Sequence, residues 1–68
     1  MKITYDPDAD AMYIKLRRGK VNKTREVDPN TILDYDKDGN VIGIELLFVR
    51  ERMPSALKEI QVENPLLA

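Results

Sequence analysis

The sequence predicts an α+β fold, a small four- to five-stranded antiparallel β-meander with one short C-terminal helix. Three observations lead to this prediction. Several short segments alternate apolar and polar residues, as strands do when one face is buried. Gly, Pro, Asp and Asn cluster between these segments, where turns need them. A helical pattern occurs near the C-terminus. The chain has 68 residues, so we expect one domain, with a sheet over residues 1–50 and a helix and tail over residues 51–68 packed on it.

Five segments have the β-branched and aromatic composition of strands. The third is mostly polar, which predicts an edge strand. Gly39 lies in the turn between the last two strands and can supply the positive φ of a hairpin turn with a bulge. The predicted strands cover residues 2–5, 11–16, 23–27, 31–35 and 41–47.

Residues 54–60 predict a helix of about two turns, with Ala56, Leu57 and Ile60 on one face. A helix this short does not hold alone in water. We therefore expect it to dock on the sheet. Two interpretations of the tail at residues 62–68 stay open: a segment docked on the sheet, or an arm that orders on contact with a partner.

The last two strands predict a sheet that is apolar on both faces. Asp36 opposite Asn40 sets the register of this hairpin. A sheet with two apolar faces must be covered twice, so we expect the helix on one face and a second copy or a protein partner on the other. A homo-oligomer is expected, with a dimer as the simplest form. The register assigns Ile32, Ile42, Ile44 and Leu46 to one face and Leu33, Tyr35, Val41 and Leu47 to the other.

The stretch of residues 34–45, DYDKDGNVIGIE, matches the calcium loop of an EF-hand at its diagnostic positions. An EF-hand loop lies between helices, whereas both flanks here predict strands. The register places Asp34 opposite Ile42, so Glu45 falls on the other face and about 10 Å away. A hairpin turn is the favoured interpretation. A weak divalent-cation site at Asp34, Asp36 and Asp38 is the alternative.

The amino-acid composition excludes several kinds of functional site. The chain contains no cysteine and no histidine, so it lacks disulfides, the usual zinc, copper and haem ligands, and the usual catalytic bases and thiolates. We therefore predict no enzyme and no cofactor. Neither a signal peptide nor an apolar run of membrane-spanning length is visible. A cytoplasmic location away from membranes is expected.

The net charge of −1 hides a strongly basic segment. Such a segment predicts binding to nucleic acid or to an acidic protein partner, whereas the plainer interpretation is a solvated edge hairpin. Only one aromatic ring, Tyr13, lies near it. The basic side chains are Lys15, Arg17, Arg18, Lys20, Lys23 and Arg25.

Three separated blocks of the sequence form a pattern: Tyr5-Asp6-x-Asp8-x-Asp10-Ala11-x-Tyr13-Ile14, Thr24-x-Glu26-Val27 and Asp34-x-Asp36-x-Asp38-Gly39-x-Val41-x-Gly43-Ile44-Glu45-Leu46. In their order and spacing these blocks resemble the family called Domain of Unknown Function 2283, a family of small prokaryotic proteins. The resemblance implies a small antiparallel sheet with a helix, no established activity and no known site residue. Relatives encoded beside small toxin-like proteins imply an antitoxin role.

The favoured function is a non-enzymatic protein-interaction module, antitoxin-like and self-associating. The alternatives are a nucleic-acid-binding regulator that uses residues 15–25 and a weak divalent-cation binder at Asp34, Asp36 and Asp38.

Overall fold

The computed structural model describes residues 1–59, which form one five-stranded antiparallel sheet followed by a short helix and a 3₁₀ turn. The predicted fold class is confirmed. The strands are β1 (Lys2–Asp6), β2 (Ala11–Lys15), β3 (Lys23–Asp28), β4 (Thr31–Tyr35) and β5 (Val41–Leu47). They are followed by the helix α1 (Val49–Arg52) and the 3₁₀ turn (Pro54–Leu57).

The strand order in the sheet is β1-β2-β5-β4-β3. β1 and β2 form a hairpin, and β3, β4 and β5 form a meander whose last strand pairs with β2. The predicted meander therefore does not continue from β2 to β3, because β5 takes the place beside β2. The connection of residues 16–22 therefore passes the ends of β5 and β4 on its way to β3. The polar third strand lies at an edge, as its composition predicts, and all six of its residues are exposed.

A β-bulge in β5 sets the register of the β4–β5 hairpin. Tyr35 lies opposite Val41, whereas Asp34 lies opposite Gly43, so Ile42 is an extra residue on β5. The prediction that Asp34 faces Ile42 is wrong because an extra residue shifts every later pair by one position.

The bulge gives the sheet one apolar face and one polar face. Directly opposite residues share a face, and successive residues alternate. Leu33 lies opposite Ile44, and Ile32 lies opposite Glu45. The prediction of two apolar faces is therefore wrong: the bulge exchanges the faces of β4 relative to β5. The apolar face carries Ile3, Met12, Ile14, Leu33, Ile44 and Leu46, and the polar face carries Thr4, Tyr13, Thr24, Ile32, Asp34 and Glu45.

Helical structure begins earlier than the sequence predicts. α1 follows Phe48, whose φ of 55° turns the chain out of β5. Pro54 begins the 3₁₀ turn, which is all that forms of the predicted helix within the described residues. α1 packs chiefly against this turn rather than across a face of the sheet. The predictions for Ile60 and for residues 62–68 lie outside the described residues.

Within residues 1–59, three hydrophobic side chains are buried: Met12 is 7% exposed, Ile42 is 3% exposed and Val49 is fully buried. Ile42 is at the bulge, where Gly19 of the 16–22 connection passes close to its side chain. The hydrophobic core of the described chain is therefore small, as expected for a single sheet with one short helix.

Candidate functional site

A row of hydrogen-bonded side chains crosses the polar face. The Tyr13 hydroxyl on β2 donates to Asp34 Oδ2 on β4 at 2.7 Å. The Thr24 hydroxyl on β3 donates to Asp34 Oδ1 at 2.7 Å. Both carboxylate oxygens of Asp34 are thus occupied, and the row ties β2, β4 and β3 together.

Gly43 makes this row possible. β5 lies between β2 and β4, and Gly43 is the β5 residue opposite both Lys15 and Asp34. The Tyr13 ring lies directly over it: a Cβ at this position would stand 2.6 Å from Tyr13 Cζ and closer still to the hydroxyl. Only glycine lets the tyrosine reach across one strand to the next.

The hydrogen bond to Asp34 also sets the protonation state of Tyr13. The hydrogen bond to Asp34, followed by partial burial and by the charges of Asp34 and Glu45, raises the pKa of Tyr13 to about 12. At neutral pH the hydroxyl is protonated and serves as a donor. The row therefore joins the three strands through hydrogen bonds from a neutral phenol and from a threonine hydroxyl.

Asp10 makes a second junction, between the sheet and α1. It is 9% exposed and adopts a φ of 52°. Its Oδ1 accepts the Tyr5 hydroxyl at 2.6 Å and the Arg50 N–H at 2.8 Å, and its carbonyl accepts the Val49 N–H at 3.2 Å. One carboxylate thus fixes the start of α1 to the β1–β2 hairpin.

The charge of Asp10 suits this position. The hydrogen bond from Tyr5, with further bonds and charge from the start of α1, lowers the pKa of Asp10. The same bond raises the pKa of Tyr5. The native arrangement is therefore an ionised carboxylate with a neutral phenol.

The β4–β5 turn uses its aspartate as a backbone cap. Asp36 Oδ1 accepts the N–H groups of Asp38 and Asn40, each at 2.9 Å. Gly39 has a φ of 84°, as predicted. The hydrogen bond from the Asn40 backbone N–H is the largest of the causes that lower the pKa of Asp36. These are the contacts of a hairpin turn.

The predicted cation site at Asp34, Asp36 and Asp38 finds no support in this geometry. Asp34 belongs to the row on the polar face, and Asp36 caps the turn. Among residues 1–59, no three acidic side chains converge to hold a metal ion. The prediction that Glu45 falls on the other face from Asp34 is wrong, because the bulge puts Glu45 on the same face, two residues beyond Gly43.

The structure brings only part of the basic set together: Lys15, Arg17 and Arg18 line one shallow cleft, whereas Lys20 lines another. β2 and β3 are separated by β5 and β4, so residues 15–25 make no two-stranded ribbon for nucleic acid. Lys15 lies on the polar face, whereas Lys23 and Arg25 lie on the other face. Arg25 stacks over Tyr35, 5.8 Å from the ring centroid. Arg17, Arg18 and Lys20 lie in the exposed 16–22 connection.

A shallow cleft of about 470 Å³ opens between the 16–22 connection and the β4–β5 turn. Its charged lining is mixed, with Lys20 and Lys37 beside Asp36 and Asp38. This lining favours no single ligand charge. No helix in the part of the chain that the structure describes is long and apolar enough to cross a membrane.

Comparison with known proteins agrees with the resemblance seen in the sequence. Residues 2–50 match the model of a family described as "Protein of unknown function (DUF2283)". The chain belongs to this family. An uncharacterized protein of Methanocaldococcus jannaschii is 36% identical over 47 residues, which cover 69% of this chain and 40% of that protein. No solved structure matches the chain significantly.

The three family blocks coincide with the two junctions. Sequence reasoning treated Tyr13 and Gly43 as ordinary strand residues and missed the row on the polar face. A usable signal was present, because every residue of both hydrogen-bonded junctions whose side chain takes part lies in a block. The block residues of the junctions are Tyr5, Asp10, Tyr13, Thr24, Asp34 and Gly43. In this chain the family pattern describes how the sheet is held together.

Proposed function

We propose that this protein is a non-enzymatic protein-interaction module that associates with itself through the apolar face. The partial exposure of the apolar side chains on that face supports the proposal. Ile14, Leu33 and Ile44 project from inner strands yet are only half-buried, and Ile3 is 37% exposed. The described part of the chain, which includes α1 and the 3₁₀ turn, leaves these side chains partly exposed.

A sheet face of this kind gains stability when a second layer covers it. Stacked sheets pack face to face and interdigitate their inner side chains. Burial of apolar surface contributes about 25 cal/mol for each Å² removed from water. A small single-layer sheet has few other sources of stability. Face-to-face contact with a second copy is the simplest way to supply the missing layer.

Sedimentation analysis over a range of concentrations tests the proposal. We expect the mass of the wild-type protein to rise with concentration towards that of a dimer. Ile44→Thr removes apolar surface from the central strand and keeps a β-branched side chain, so it should shift the protein towards the monomer. Ile32→Thr makes the same change on β4 but on the polar face, and it should leave association unchanged.

Circular dichroism first establishes that both variants keep the sheet. A wild-type protein that stays monomeric at high micromolar concentration would contradict the proposal. Equal association by the wild-type protein and the folded Ile44→Thr variant would also contradict it.

A further inference from the structure

We infer that β1 pairs edge to edge with β1 of a second copy, with Thr4 opposite the Thr4 of that copy. The inference goes beyond the proposed association through the apolar face, because it uses a different surface of the sheet and is tested separately. β1 is the edge strand at one side of the sheet, so the backbone groups on its outer side have no strand partner within residues 1–59. Such an edge can accept another strand.

Symmetry limits how two copies of one strand can pair. Opposite residues share a face and successive residues alternate, so a twofold axis through an antiparallel pair places one residue opposite its own copy. With Thr4 at the axis, all five residues of β1 are paired. Lys2 then meets Asp6, and Ile3 meets Tyr5, each from the other copy.

Every pair in this register is favourable. The two Lys2–Asp6 pairs bring opposite charges together on the polar face. The two Ile3–Tyr5 pairs match an aromatic with a β-branched side chain on the apolar face, and the hydroxyls of the two Thr4 side chains can bond. Pairs of these three kinds stabilise antiparallel sheets. Moving the axis by one residue in either direction loses the charge pairs.

The charge of Lys2 also favours the register. Within one copy, Lys2 lies directly opposite Lys15 on β2. Like charges in opposite positions are unfavourable. Asp6 of a second copy would stand on the outer side of Lys2 and offset this repulsion.

The other edge strand, β3, does not offer an equally favourable register for pairing with its own copy. With the axis at Arg25, β3 would place two arginines opposite each other, and with the axis at Glu26 it would place two glutamates opposite each other. The register shift at Val27 also makes β3 irregular. Like charges and bulges are features that keep edge strands from pairing. The sequences of the two edges therefore select β1.

Pairing through β1 would make one continuous sheet of ten strands. The apolar faces of both copies would lie on the same side, because a twofold axis perpendicular to the sheet keeps each face in place. Ile3, exposed in one copy, would become an interior residue of a doubled apolar face. The surface offered to a further layer would thus be twice as wide.

Site-specific cross-linking tests the pairing directly, because the chain has no cysteine of its own. Opposite Cβ atoms in an antiparallel pair are about 4.5–5.5 Å apart, within reach of a short bifunctional thiol reagent. We expect Thr4→Cys to give a covalent dimer at concentrations where Glu26→Cys, on the exposed β3 edge, stays monomeric. Stacking through the apolar face would leave Thr4 on the outside and would not produce this cross-link.

Charge reversal gives an independent test. Lys2→Glu should raise the dissociation constant of the edge-paired dimer about tenfold, because twofold symmetry replaces two attractive pairs with two repulsive ones. The effect should shrink in high salt. Lys23→Glu makes the same change in net charge on β3, at the opposite edge of the sheet, and should not weaken the dimer.

The outcomes separate this inference from the proposed function. A Thr4→Cys cross-link that persists in the Ile44→Thr background supports edge pairing and overturns stacking as its cause. Association that is lost in Ile44→Thr, without a Thr4→Cys cross-link or a Lys2→Glu effect, overturns the inference and leaves the proposed function in place. A protein that remains monomeric and does not cross-link contradicts both.

Discussion

At the residue scale, Gly43 and Tyr13 form a pair in which the absence of one side chain makes room for the other. Gly43→Ala should force the Tyr13 ring away and break its bond to Asp34. We expect a loss of about 1–3 kcal/mol in the free energy of unfolding, the usual cost of leaving a part-buried polar group unpaired. Urea denaturation measures it.

A double-mutant cycle shows whether the two residues act together. In a Tyr13→Ala background the space above Gly43 is open, so Gly43→Ala should be neutral or stabilising by up to about 1 kcal/mol, because alanine replaces a flexible strand glycine. Equal costs in the two backgrounds would show that the close contact does not limit this position.

The raised pKa of Tyr13 predicts a pH dependence. An unfolded tyrosine ionises near pH 10, whereas Tyr13 in the fold ionises near 12. The folded pKa is the higher one, so this contribution is complete below pH 10 and is lost as pH rises from about 10 to 12. Tyr13→Phe should lose less stability over that interval than the wild-type protein in urea denaturation. Tyr35→Phe, outside the row, should behave as the wild-type protein does.

Single residues were the least predictable part of the structure. The sequence places Gly39 in a turn because a positive φ has a strong local signature. The need for Gly43 has no such signature, since it comes from a ring on a neighbouring strand. The role of Asp34 likewise depends on partners 10 and 21 residues away.

At the element scale, α1 depends on Asp10 rather than on its own four residues. Asp10→Ala removes the acceptor for Tyr5 and Arg50 and leaves alanine at a φ of 52°. We expect it to cost about 1–3 kcal/mol of unfolding free energy, from the lost cap and the strained backbone. Asp10→Asn keeps an acceptor and tolerates positive φ, so it should cost less than half as much.

Acid unfolding tests the charge at the same junction. The pKa of Asp10 is lowered in the fold, so its contribution is present above the unfolded value near 3.9 and is lost as pH falls through the folded one. The stability of Asp10→Asn should therefore decline less on acidification than that of the wild-type protein. Identical acid profiles would argue against an ionised cap.

The strands were predictable because their signals are local. Alternation and turn residues identify all five, with bounds that differ from the observed ones by at most one residue. The bulge was not predictable, since an extra residue at Ile42 leaves the apolar pattern of β5 unchanged. The position of α1 was missed because its anchor, Asp10, is 40 residues away from Arg50.

At the scale of the whole molecule, the sequence predicts the number and polarity of the strands but not their order. The sequence predicts one of the two edge strands correctly, because β3 is mostly polar and does lie at an edge. The placement of β5 beside β2 depends on apolar residues that would suit several neighbours. The expected self-association stays a prediction, which sedimentation analysis and cross-linking test.

The position of β5 between β2 and β4 has a consequence for folding. The β1–β2 hairpin and the β3–β4–β5 meander each consist of pairs that are near in sequence, whereas the ladder that joins them pairs residues such as Met12 and Leu46. Closing a long loop before its contacts form slows folding. The hairpin and the meander should therefore each form quickly, and the pairing of β2 with β5 should be the slow step of folding. Two fragments made by dividing the chain within residues 17–21 should reassemble through the β2–β5 ladder.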